Sequence, residues 1–191
     1  VTLLVVEDSR FTCDALRLIV TRAGARLRRA ETLATARSHL DCYRPDLMIV
    51  DLGLPDGRGE ALIAEGAALG LPVLGISGDP DGRASALEAG AIAVVEKPIT
   101  SIAGAGAVPA GDEVDVPKAD PMALRDDLAH AARLIGGSDA DGYATGFVRS
   151  LARTVGGRAL EDAALNADDP PGRQALAALL SQRLTEVPTL A

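Results

Sequence analysis

Aromatic side chains are nearly missing from this 191-residue chain. Two Phe, two Tyr and no Trp leave any core to be assembled from Ala, Val, Leu and Ile, which the 48% hydrophobic content supplies amply. A basic segment is missing as well. The net charge is −8; residues 1–117 hold 11 Lys/Arg against 17 Asp/Glu, and residues 118–191 hold 8 against 10. Neither stretch offers the positive surface that a nucleic acid or an anionic membrane calls for. Cysteine is scarce. Cys13 and Cys42 lie in helical patterns without a metal-type spacing, so they read as reduced, packed thiols. No apolar run approaches the roughly 18 residues of a membrane helix, and no signal-like start is seen. A soluble, cytoplasmic protein is therefore expected.

What is present is a set of short apolar runs, each ending in a polar group. Leu3-Leu4-Val5-Val6 ends in Glu7 and Asp8, and Leu47-Met48-Ile49-Val50 in Asp51. Val73-Leu74-Gly75-Ile76 ends in Ser77, and Ile92-Ala93-Val94-Val95-Glu96 delivers Lys97-Pro98. Helical patterns alternate with these runs over about 10–22, 33–42, 60–69 and 83–88, the rhythm of a parallel sheet covered on both faces. A short run at 25–30 carries Arg26, Arg28 and Arg29, a charge density that suits an edge strand. The predicted organisation is an α/β domain over 1–100, a Gly/Ala/Pro-rich linker over 101–118 and a small all-helical domain over 119–191. In the last, Asp120-Pro121 is a helix start. Leu124, Leu128, Ala131 and Ile135 form one stripe; Tyr143, Phe147, Leu151 and Val155 form a second, in a segment over about 139–155; and Leu176, Leu179, Leu180 and Leu184 form another.

Open α/β sheets bind ligands at the carboxyl rim of their strands, which is where these polar groups would gather. Glu7, Asp8 and Asp51 side by side repel one another unless a cation neutralises them. Magnesium suits an all-oxygen set of this kind. Asp8 and Asp51 would serve as direct ligands, Glu7 as the holder of a bound water and the Gly53 carbonyl as a backbone ligand. The remaining Asp51 oxygen could then attack a phosphoryl group to form an acyl phosphate, with Lys97 and Ser77 binding phosphoryl oxygens. Gly53 would leave one side open to water and make the modification short-lived.

Val5-Val6-Glu7-Asp8-Ser9, Asp51-Leu52-Gly53-Leu54-Pro55 with Gly59 eight positions after the acid, Ile76-Ser77-Gly78 and Glu96-Lys97-Pro98 together resemble the receiver domain of two-component response regulators over about residues 1–100. The resemblance implies a doubly wound, flavodoxin-like five-stranded parallel sheet of order 2-1-3-4-5 and a cis peptide before Pro98. It also implies phosphotransfer from a sensor histidine kinase or a histidine phosphotransfer protein. Receivers of this kind act as signalling switches, not classical enzymes, and a homodimer is expected. Two departures stand out: Val94 occupies the place of the usual switch aromatic, and the fifth helix is replaced by the linker. The helix over 121–135, from the same chain or a partner subunit, is expected to cover the sheet face left bare. The helical domain reads as an interaction or dimerisation module. One alternative makes His130, with Arg133 three positions on, a phosphorelay histidine, although a solvated helix face is the plainer reading of it. A transcriptional output is disfavoured by the acidic 118–191 segment.

Overall fold

The computed structural model describes residues 1–79, 81–99, 120–137, 142–155 and 157–187. The chain divides into two compact units, Val1–Pro117 and Lys118–Ala191.

In the first unit, strands β1 (Thr2–Val6), β2 (Arg26–Ala30), β3 (Leu47–Asp51), β6 (Val73–Ser77) and β7 (Ala93–Glu96) form one parallel sheet in the order β2-β1-β3-β6-β7. Between β3 and β6 the chain adds a two-residue antiparallel ladder of β4 (Gly53–Leu54) with β5 (Gly57–Arg58). Setting that ladder aside, the order is the expected 2-1-3-4-5. The ladder lies within 51–59, a stretch rich in Gly with Pro55 and without any strand pattern. Strands of two residues carry no alternation to read, and this pair is set by the Pro55-Asp56-Gly57 turn, with Gly57 at φ 145°.

Side chains alternate across the sheet as the two-residue strand period requires. Leu4, Val6, Met48, Val50, Val73 and Val94 face α2 (Leu33–Cys42), α3 (Gly59–Ala68) and α4 (Gly82–Glu88), where Leu33, Ala36, Leu62, Ile63 and Ala86 meet them. Leu3, Val5, Leu47, Ile49, Leu74 and Ile76 face the other way, onto Cys13, Leu16, Ile19 and Val20 of α1 (Arg10–Arg22). The α1 helix starts where Ser9 Oγ accepts from Thr12 N at 3.0 Å, a cap worth about 1 kcal/mol. It is closed by Gly24 at φ 71°. The arginine-bearing strand β2 takes the edge position predicted for it.

Among the described residues, α1 and Ile99 are what packs this second face. The linker expected at 101–118 lies outside the described residues. The 121–135 helix, expected to cover the sheet, packs its apolar stripe within the helical unit. The helix α5 (Pro121–Ile135), capped by Asp120 and opened by Pro121, buries Leu128, Ala131 and Ile135 against Phe147, Val148 and Leu151 of α6 (Tyr143–Thr154) and Leu176 and Leu180 of α8 (Pro170–Glu186). The short helix α7 (Arg158–Leu165) adds Leu160 and Ala164 to the same core. Phe147 is buried and Tyr143 packs on that core, as their stripe predicts. The start expected near Asp139 lies outside the described residues. Among the described residues no helix is long and apolar enough to cross a membrane.

One cysteine also departs from expectation. Cys13 is buried, and burial pushes its thiol up to about 12. Cys42 is exposed, because it is the last residue of α2 and points away from the apolar side set by Leu33 and Ala36. A disulfide reagent added to the native protein should therefore titrate Cys42 quickly and reach Cys13 only after denaturant is added. Two fast-reacting thiols in the native state would contradict this packing.

Candidate functional site

The parallel register delivers the polar strand ends to one rim: Val6 lies beside Val50, Asp51 beside Ile76, and Ser77 beside Glu96. Glu7 is 0% exposed, and Asp51 and Lys97 are 6% exposed each. Lys97 Nζ donates to Asp51 Oδ2 at 2.9 Å and lies 2.8 Å from Glu7 Oε2. The contact with Glu7 is an ion pair without the alignment of a hydrogen bond, so Glu7 Oε2 has no hydrogen-bond partner. The other Glu7 oxygen, Oε1, accepts from Ser9 N at 3.0 Å. Asp8 is half-buried, and one carboxylate oxygen from each of Glu7, Asp8 and Asp51 falls within 4.8 Å of the other two.

Charge is what this arrangement must balance. Burial, and then the neighbouring Asp51, push the Glu7 carboxyl well above its ordinary value of 4.5. Burial by itself would depress the Lys97 ammonium, but Asp51 and Glu7 outweigh it and raise it. One ammonium against three carboxylates leaves a formal charge of −2 when all are ionised, the deficit that a divalent cation removes. The donors are all hard oxygens, and a buried carboxylate oxygen lacks a hydrogen bond, so the set fits Mg2+.

The loops that carry the site explain two glycines. A Cβ on Gly59 would collide with the Asp51 carbonyl, while Gly59 N donates to Leu52 O at 3.1 Å. That close approach is why a glycine stands eight residues after the acid. A Cβ on Gly82 would come 2.7 Å from Leu52 Cδ1 and 2.9 Å from Ser77 Oγ, so the first turn of α4 rests directly on the Ser77 hydroxyl. Ser77 Oγ itself donates to Asp79 O at 2.8 Å and accepts from Asp79 N at 2.9 Å. The serine is at the rim as predicted, with its hydroxyl engaged by the following loop.

Sequence reasoning passed over Gly82 and Asp56. Asp56 accepts from Leu33 N at 2.8 Å and Ala34 N at 2.9 Å, satisfying two orphan donors at the start of α2 and pinning the 51–59 loop there. Its only signal was an acid in a turn, because the partner lies 23 residues away. Gly53 is exposed, and a Cβ there would meet nothing within 4 Å, so the open side expected at that position is present. Val94 is buried on the α4 side beside Gly75. The Lys97–Pro98 peptide is cis.

His130 needs correction in its plainer reading. It is half-buried, with its ring edge-on to Phe147 at 5.2 Å, and so belongs to the packing of the helical unit, not to a solvated face.

The family model for the response regulator receiver domain matches residues 3–105. The chain belongs to that family. Proteins of this family are signalling switches, not classical catalysts. Among curated relatives, the KDP operon transcriptional regulatory protein KdpE of Escherichia coli is 36% identical over 98 residues, covering 50% of this chain and 44% of that protein. The transcriptional regulatory protein PhoP of Escherichia coli is 35% identical over 99 residues, with the same two shares. A solved response regulator structure from Chloroflexus aurantiacus is 31% identical with a TM-score of 0.49, covering 51% of this chain and 85% of that one. The chain thus spans less than half the length of the curated relatives it matches.

The ionic balance predicts the behaviour of Lys97→Met. With the ammonium gone, two buried carboxylates face each other uncompensated, and the metal-free protein should lose about 3–5 kcal/mol. Millimolar Mg2+ should recover part of that loss. In the wild type, Glu7 holds its proton more tightly when folded than when unfolded, so its ionisation draws stability down as pH climbs above 4.5. A cation bound to the deprotonated form opposes that trend, so the rise in melting temperature caused by Mg2+ should be larger at about pH 8 than at about pH 5.5. Thermal unfolding followed by circular dichroism reads both effects, and a magnesium shift that is equal at the two pH values would contradict the scheme.

Proposed function

We propose that this chain is a phosphorylation-controlled switch in which Asp51 accepts a phosphoryl group from a sensor histidine kinase or a histidine phosphotransfer protein. The observation that carries this reading is the buried meeting of Asp51 and Lys97 beside Glu7 and Asp8 at the rim of a receiver sheet. Bound Mg2+, held by Asp8, Asp51 and the Gly53 carbonyl with Glu7 supporting a water, would offset negative charge as it grows on the transferring group. The Asp51 carboxylate attacks phosphorus in line and the bond to the donor nitrogen breaks. Lys97 Nζ, already 2.9 Å from Asp51 Oδ2, is placed to follow the charge onto a phosphoryl oxygen.

Ser77 supplies the mechanical step. To donate to the phosphoryl group its hydroxyl must give up the Asp79 carbonyl. Because the loop backbone holds that hydroxyl and Gly82 lies against it, its reorientation would be passed to the loop and the start of α4. Val94 in place of an aromatic ring leaves this serine–loop contact as the route out of the site.

The domain assignment of 1–100 and 119–191 with a linker at 101–118 gives the helical unit the output role. Its excess of acids, 10 against 8 cations over 118–191, supports a protein-interaction or dimerisation output. The alternative, transcriptional control, has the stronger support, because the relatives are named as transcriptional regulators and share the receiver segment with this chain. The relay alternative at His130 is opposed by the half-buried ring.

Labelling with a small phosphodonor and Mg2+ separates the switch from the relay. Asp51→Asn should lose all label and His130→Ala none. Label surviving in Asp51→Asn and vanishing in His130→Ala would reverse the assignment.

A further inference from the structure

Arg29 lies outside the set of acids, hydroxyl and lysine described so far, yet its guanidinium reaches across the rim to the backbone of the acidic pair. It sits at the carboxyl end of β2, in register with Val5. Its Nη2 donates to Asp8 O at 2.9 Å and its Nε to Glu7 O at 3.3 Å, while Nη1 pairs with Glu31 at 3.1 Å. The side chain is only 20% exposed, against 62% for Glu31. The two carbonyls it grips belong to the consecutive residues whose carboxylates contribute to the cation pocket. The same turn is fixed from the other side by Glu7 Oε1 on Ser9 N and by Ser9 Oγ on Thr12 N.

We propose that Arg29 is a positioning residue for the cation pocket: its rigid fork sets the Glu7–Asp8 backbone so that both carboxylates are presented to Asp51. The inference rests on reading that pocket as the magnesium site. A planar guanidinium can hold two adjacent carbonyls in one plane, whereas an ammonium is a single point charge and cannot. The guanidinium is also a positive charge held against the backbone of two of the acids. These two roles predict opposite effects on magnesium when the arginine is lost. Loss of orientation weakens binding, and loss of a repelling positive charge tightens it. The doubly anchored, largely buried fork favours orientation, the kind of outer support whose removal weakens metal binding by about tenfold or more.

Isothermal titration of the full chain with Mg2+ decides between them, using the wild type, Arg29→Lys and Arg29→Met. Both variants should bind Mg2+ about tenfold more weakly. With acetyl phosphate as donor, the magnesium needed for half-maximal phosphorylation should rise by the same factor while the rate at saturating magnesium stays within about twofold. A Lys variant equal to the wild type would show that charge alone matters, and tighter binding by the Met variant would show that repulsion dominates; either result overturns the proposal. So would an arginine that is merely structural, seen as an equal fall in melting temperature with and without Mg2+ and an unchanged Kd. A wild type that takes up no Mg2+ would overturn the reading of the pocket along with it.

Discussion

The contact of one buried ammonium, Lys97, with two buried carboxylates, Glu7 and Asp51, is the constraint on which this domain is organised. Ionised groups placed out of water are tolerated only when paired, and here the pairing joins the ends of strands β1 and β3 to the segment after β7. The lysine is shared by two acids: it hydrogen-bonds Asp51 Oδ2 while Glu7 Oε2 is left without an aligned hydrogen bond, and Asp8 adds a third carboxylate within reach. That residual negative charge turns a structural ion pair into a place for a divalent cation and a phosphoryl group.

The surrounding architecture fixes these charges from several directions. The sheet brings them together in register, and two apolar faces built almost wholly of aliphatic side chains make it rigid. Gly59 lets the chain pass against the Asp51 carbonyl, and Asp56 ties the same loop to the amino end of α2. Gly82 brings the start of α4 onto Ser77, while that serine binds the backbone of Asp79. The start of a helix therefore lies against that one hydroxyl. Packed contacts of this closeness shift between discrete arrangements and do not deform continuously.

Much of this could be read from the chain because the decisive residues end apolar runs. Glu7, Asp8, Asp51, Ser77 and Lys97 each follow a strand, and parallel strands place their carboxyl ends at one rim. The helices over about 10–22 and 33–42 were legible from their periodic apolar residues, and the structure adds the caps Ser9 and Thr32 that fix their starts. What escaped were contacts that span the fold. Asp56 with Leu33 and Ala34, Gly82 with Leu52, and Arg29 with Glu7 and Asp8 link residues more than 20 positions apart. No local period encodes them. The ladder of β4 and β5 was too short for a pattern, and Cys42 and His130 show that helical position alone does not say which neighbours a side chain meets.

The most direct test of the account is to find the atom that captures phosphorus. Treating the full chain with acetyl phosphate and Mg2+, trapping any acyl phosphate by borohydride reduction and mapping the peptides by mass spectrometry should place the reduced residue at position 51 alone, and only when magnesium is present. Trapping at another carboxylate, or at position 51 with equal yield in the presence of a chelator, would contradict the reading of the buried charge cluster as a cation-dependent phosphoryl acceptor.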